Sequence, residues 1–271
     1  MMVADSAFQS VGETGWRRGF SNLFRKETRA WWGTRRWLVQ AVLWTVVVDG
    51  LLAFILFGLP PLRAQMDPAQ LEEFEPVAQG LQAIGQVGTV ALAIGAILLA
   101  QDQILGERQS GVTEWILSKP VSRTSYLLSK LAADGIGVVV ILAGLPMAIA
   151  YGQFWLVNGT ALPLGPFLTG TAALALHTLF YLCLTLLMGV VTDGREVLLG
   201  VPFGVLFGGL IAVSFLGTLG LFTPWSIAAV LPAVVLQQSM PLPAWVPLMS
   251  TAVLAALCVA LALYKFKALE F

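Results

Sequence analysis

The chain has 271 residues, 15 basic and 15 acidic side chains, no net charge, 58% hydrophobic residues and a mean hydropathy of +0.83. Only 11% of its residues are charged, against roughly 25% in a soluble domain, which excludes a water-soluble globule and leaves one membrane-embedded unit. Cys183 and Cys258 sit inside apolar runs with no CxxC or Cys/His spacing, so neither a disulfide framework nor a metal site is expected.

Residues 1–36 form a first segment. No apolar stretch precedes the first long apolar run, so no signal peptide is expected. Trp16, Phe20, Leu23, Phe24 and Trp31 share one helical face, and Arg17, Arg18, Arg25, Lys26 and Arg29 spread over the other. That pattern predicts a basic amphipathic helix lying in a membrane interface, with lipid as its partner. Each basic residue there gains about 1 kcal/mol from anionic lipid. Glu27 projects from the apolar face and requires a buried basic or backbone partner.

Residues 37–271 form the membrane domain. A span takes ~20 apolar residues, and six are placed near 37–60, 80–101, 132–157, 166–192, 197–218 and 244–264. Asp49 lies near the middle of the first, where a central Asp costs about 2.5–3.5 kcal/mol. After the second comes "GERQSGVTEWILSKPVSRTSYLLSK", a polar cassette running from Gly106 to Lys130. Within it Val112, Trp115 and Ile116 follow i, i+3, i+4 spacing, with Thr113, Glu114 and Ser118 opposite. This predicts a two-turn helix after Gly111 that must stop before Pro120. Ser122, Thr124 or Ser125 can cap the next helix, which climbs into the third span. A helix this short is marginal alone, so it needs something to pack against. Asp134, near the inner end of that span, reads as interfacial.

His177 lies near the middle of the fourth span. It reads as a hydrogen bond to a neighbouring helix or, with Asp49, as a proton-linked pathway pair. The tight turn Asp193–Glu196 leads to the fifth span, where Gly200, Gly204 and Gly208 form GxxxGxxxG. Such a stripe suits close helix packing, within the chain or between subunits. Beyond it, Thr223 and Pro224 read as an N-cap and first-turn proline of short helices dipping into the outer leaflet.

Of the 15 basic residues, all but Arg63 fall on one side of this topology, while Arg63 sits beside Asp67, Glu72, Glu73 and Glu75. That asymmetry predicts an inner or plasma membrane protein with both termini and the cassette in the cytoplasm.

The run Asp102, Gly106-Glu107-Arg108, Gly111-Val112-x-Glu114, Ser118-x-Pro120-x-Ser122-Arg123 and Tyr126-Leu127-Leu128-x-Lys130 resembles the cytoplasmic signature of ABC-2 type transporter permeases. Val112 and Ser129 stand where that family usually has Thr and Gly. Lys26, Glu27 and Arg29 are similar to its N-terminal interfacial helix, and "FTPWSIAAVL" to its re-entrant segment. The resemblance implies an all-α six-span permease subunit of an ATP-driven exporter, with a coupling helix around Val112–Ser118. It also implies an ABC ATPase partner docking on Glu107, Arg108, Gly111, Val112, Glu114, Trp115, Ile116, Pro120 and Arg123. A second permease copy or a sister permease completes the assembly. No G-x-x-x-x-G-K-[ST] occurs, so this chain is expected to bind no cofactor and to catalyse nothing, ATP and magnesium belonging to the partner ATPase. No nucleic-acid partner is expected. Glu107 and Arg108 are expected to fix the cassette against Lys26 and Glu27. The alternative function is a proton-coupled secondary transporter using Asp49 and His177. It leaves the cassette unexplained. An intramembrane enzyme would need a cluster of acids and histidines that the chain lacks.

Overall fold

A computed structural model describes residues 14–63, 65 and 75–269. Residues 1–13 and the acidic positions Asp67, Glu72 and Glu73 lie outside the described residues. The described chain is all-α, without a strand.

Six helices are long and apolar enough to cross a membrane: Arg36–Arg63, Pro76–Gln109, Arg123–Asn158, Leu164–Val191, Arg195–Phe222 and Trp245–Ala268. The second ends later than expected and the third begins earlier. Hydropathy stops short at both places because Glu107, Tyr126 and Lys130 are polar, yet each is held by partners inside the fold. The second span turns at 101–104 before its last helical piece, Leu105–Gln109.

Span four is the central post, packed against spans two, three, five and six. Phe167, Leu174, Tyr181 and Leu182 are buried along it. Spans one and five are peripheral and turn apolar side chains outward, among them Val46, Phe54, Ile211 and Phe215.

Between spans five and six the chain forms a 3₁₀ turn, Pro224–Ala229, and a short helix, Val230–Val235. Three spans each supply a glycine to seat it. A β-carbon at Gly85, Gly170 or Gly209 would overlap Ala228, Leu231 or Trp225, so these positions need a residue without one. Pro224 occupies the first turn as expected. The Thr223 side chain does not cap it forward; its hydroxyl donates back to the Gly220 carbonyl.

The leading helix, Phe20–Trp32, packs along the base of span three. Trp16 is not on it. Gly19 adopts φ +82°, which ends the preceding 3₁₀ turn Gly15–Arg17, so Trp16 stands exposed beyond the helix.

Candidate functional site

Two helical stripes with i, i+4, i+8 spacing meet at the cassette end of the bundle. Leu23, Glu27 and Trp31 are the buried positions of the leading helix. Tyr126, Lys130 and Asp134 form the facing stripe on span three, and all three are buried. The Trp31 indole donates to Asp134 Oδ1 at 2.6 Å, and Gln103 adds a 3.3 Å bond to the same oxygen. Asp134 is thus an internal anchor of the leading helix, not an interfacial residue.

One turn nearer the cassette, four charges close into a square. Lys130 Nζ lies 3.0 Å from Glu27 Oε1 and 3.0 Å from Glu107 Oε2. Lys26 Nζ lies 3.1 Å from Glu27 Oε1 and 2.8 Å from Glu107 Oε1. Two cations and two anions balance, which is what lets Lys130 sit at 1% exposure. Burial opposes the charge on Lys26, but the Glu107 hydrogen bond and the charges of Glu27 and Glu107 outweigh it and hold its ammonium above the ordinary value. Arg29 stays on the exposed face of the helix, outside this square.

The square is wired to the short helix. The Tyr126 hydroxyl donates to Glu107 Oε2 at 2.7 Å and lies 3.0 Å from the Thr113 hydroxyl. Its ring stacks on Phe266 of span six at 5.2 Å. The helix itself runs Val112–Leu117 and starts from Gly111 at φ +72°, a left-handed turn that favours glycine. Its buried positions are Thr113 and Ile116. The apolar face is therefore split: Ile116 and the polar Thr113 turn inward, Thr113 to meet Tyr126, while Val112 is 36% and Trp115 65% exposed. Lys119 lies over the outward Trp115 ring at 5.2 Å. Glu114, Ser118 and Pro120 share this exposed side.

After the helix, Ser122 caps span three, its hydroxyl accepting from the Ser125 amide at 2.9 Å. The Ser122 and Ser125 hydroxyls both lie 2.6 Å from the Trp16 carbonyl oxygen, and Val121 fills the space above Gly19. The exit of the cassette is thereby tied to the start of the described chain.

The two cassette arginines go elsewhere. Arg108 does not reach Lys26 or Glu27. Its Nη1 donates to the carbonyls of Gly189, Val190 and Thr192 at 3.2–3.3 Å, and its Nη2 pairs with Asp193 at 2.7 Å. The reason is electrostatic, because the end of span four offers unsatisfied carbonyls. Arg123 donates to the carbonyls of Lys267 and Leu269 at 2.7 and 2.6 Å, at the end of span six.

Residues 21–270 match the family described as ABC-2 family transporter protein. The chain belongs to that family. Comparison with curated proteins finds no match. ABC-2 permeases are membrane transport components that generally work with an ABC ATPase partner, and this chain is a multi-pass membrane protein of that kind.

In this ABC-2 chain Asp49 and His177 are not hydrogen-bonded to each other. Gln153 on span three donates to the Asp49 carbonyl at 3.3 Å and to its Oδ1 at 3.4 Å. His177 Nδ1 lies 3.0 Å from the Pro224 carbonyl, next to the bond from Trp225 to Tyr181. His177 thus holds the start of the re-entrant segment, and a proton-coupled pair gains nothing from this arrangement. No cluster of metal-ligating side chains exists among the described residues. A β-carbon on Gly200, Gly204 or Gly208 would meet nothing within 4 Å, so this stripe faces away from the rest of the chain. Sequence reasoning assigned no site role to Thr113, Asp134 or Asp193, and named Tyr126 only within the family resemblance. The i, i+4, i+8 spacing of Tyr126, Lys130 and Asp134 was the signal available for two of them.

Proposed function

We propose that the chain is the permease subunit of an ATP-driven exporter, with its ABC ATPase subunit seated on the outward side of the Val112–Leu117 helix. The observation that carries this reading is a two-sided helix. One side is bonded through Thr113 and Tyr126 to an ion-pair square built around the buried Lys130, and the other leaves Trp115 65% exposed. A tryptophan held outward on a braced helix suits a hot spot in a protein interface. In this reading the cassette and both termini face the cytoplasm of an inner or plasma membrane, as the placement of Lys and Arg favours. Export rests on the family resemblance.

The permease pairs with a second copy through span five. Gly200, Gly204 and Gly208 line an outward groove, flanked by Phe207 and Ile211, into which another helix can pack closely. A tagged chain in lipid nanodiscs, mixed with its ABC ATPase subunit, should capture it in a two-to-two complex by mass measurement. Gly204→Leu should convert that complex to one-to-one without lowering the melting temperature, since no neighbour within the chain is displaced. Absence of capture contradicts the docking reading. An unchanged two-to-two complex in Gly204→Leu contradicts the span-five interface.

A further inference from the structure

We propose that Arg108 and Arg123 are positioning residues that tie the cassette separately to spans four and six, so that each arginine delivers movement of the short helix to one span. This deepens the ATPase-docking reading and rests on it. The two arginines flank the helix, one before Gly111 and one after Pro120. Each ends at the last carbonyls of a different span. Arg108 gathers three carbonyls of span four and its following turn, plus the Asp193 carboxylate. Gln109 adds a 3.2 Å bond to the Asp193 carbonyl. In the same turn Arg195 reaches back to Gln101 at 2.9 Å and Asp102 at 3.6 Å. The turn between spans four and five is therefore held from both ends of the 101–109 segment.

Arg123 makes the matching connection to Lys267 and Leu269. Tyr126 supports it from one turn further along by stacking on Phe266. A guanidinium suits this task because its planar fork presents several donors in fixed directions, while an ammonium is a point charge. Charge at a helix C-terminus also favours the cation. Spans four and six are packed closely together in the bundle, so two separate ties at their ends allow the cassette to move one relative to the other.

The test uses the complex with its ATPase in nanodiscs, with Cys183 and Cys258 replaced by alanine. Spin labels are placed at Val191→Cys or Tyr264→Cys, both exposed near the ends of spans four and six. Distances between the two copies are measured without nucleotide and with ATP and vanadate. In the parent protein both pairs should shift. Arg108→Gln should remove at least half of the shift at 191 and keep that at 264, and Arg123→Gln should do the reverse. Arg108→Lys and Arg123→Lys, which keep the charge, should show the same selectivity at smaller amplitude. All four variants are compared as complexes with the ATPase, and loss of capture in any of them would place that arginine in the docking surface and overturn the inference. Full shifts at both labels in every variant overturn the inference while leaving the docking reading intact. So does equal loss of both shifts in each variant. Failure of the parent chain to capture the ATPase overturns both readings.

Discussion

Lys130→Met should destabilise the chain by about 3–5 kcal/mol, the usual cost of removing one partner from a buried ion pair. Methionine preserves much of the volume, so the loss is chiefly of charge. Glu27 and Glu107 would then share Lys26 alone, with the Glu27 carboxylate still buried. Thermal unfolding of the purified chain in nanodiscs reads the effect. Adding Glu27→Gln should recover part of the loss, because the remaining Lys26 and Glu107 balance each other. Lys119→Met, which removes an exposed cation lying over Trp115, supplies the comparison. A Lys130→Met midpoint no lower than that of Lys119→Met would contradict the account of the square.

Trp115→Glu should have the opposite profile. It should leave unfolding unchanged, since the side chain is mostly exposed, and weaken ATPase binding by about thirtyfold or more. That factor corresponds to a hot-spot loss of about 2 kcal/mol or more. A titration of the ATPase against the chain in nanodiscs measures it. Glu107→Lys is a poorer probe of docking, because it sets a third ammonium beside Lys26 and Lys130 and breaks the fold first. An affinity unchanged by Trp115→Glu would remove Trp115 from the interface.

The six spans were legible because ~20-residue apolar runs are a strong signal in any context. The need of Glu27 for a buried basic or backbone partner was legible too, since a carboxylate on an apolar helix face has few alternatives. Lys130 as that partner was not, because it stands far away in sequence and is joined only when the leading helix lies on span three. Which residues of the short helix turn inward was not legible for a related reason. Apolar spacing grouped Val112, Trp115 and Ile116 on one face, but the group waiting beneath the helix is the Tyr126 hydroxyl, which takes Thr113, and only Ile116 of the three is buried. Spacing within six residues does not reveal what lies underneath. Arg108 and Arg123 were read with the cassette because they lie in it, although the carbonyls that hold them belong to helix ends distant in sequence. The glycine stripe of span five left two partners open, and its empty surroundings favour a second chain over packing within this one.

In the proposed complex the outward side of the short helix seats the ATPase. Hydrogen–deuterium exchange of the chain in nanodiscs, with and without its ABC ATPase subunit, tests it most directly. Slowed exchange is expected across residues 109–120, with residues 159–162, between spans three and four at the far end of span three, unchanged. Slowed exchange at another part of the chain, with residues 109–120 exchanging as fast as in the free protein, would contradict it.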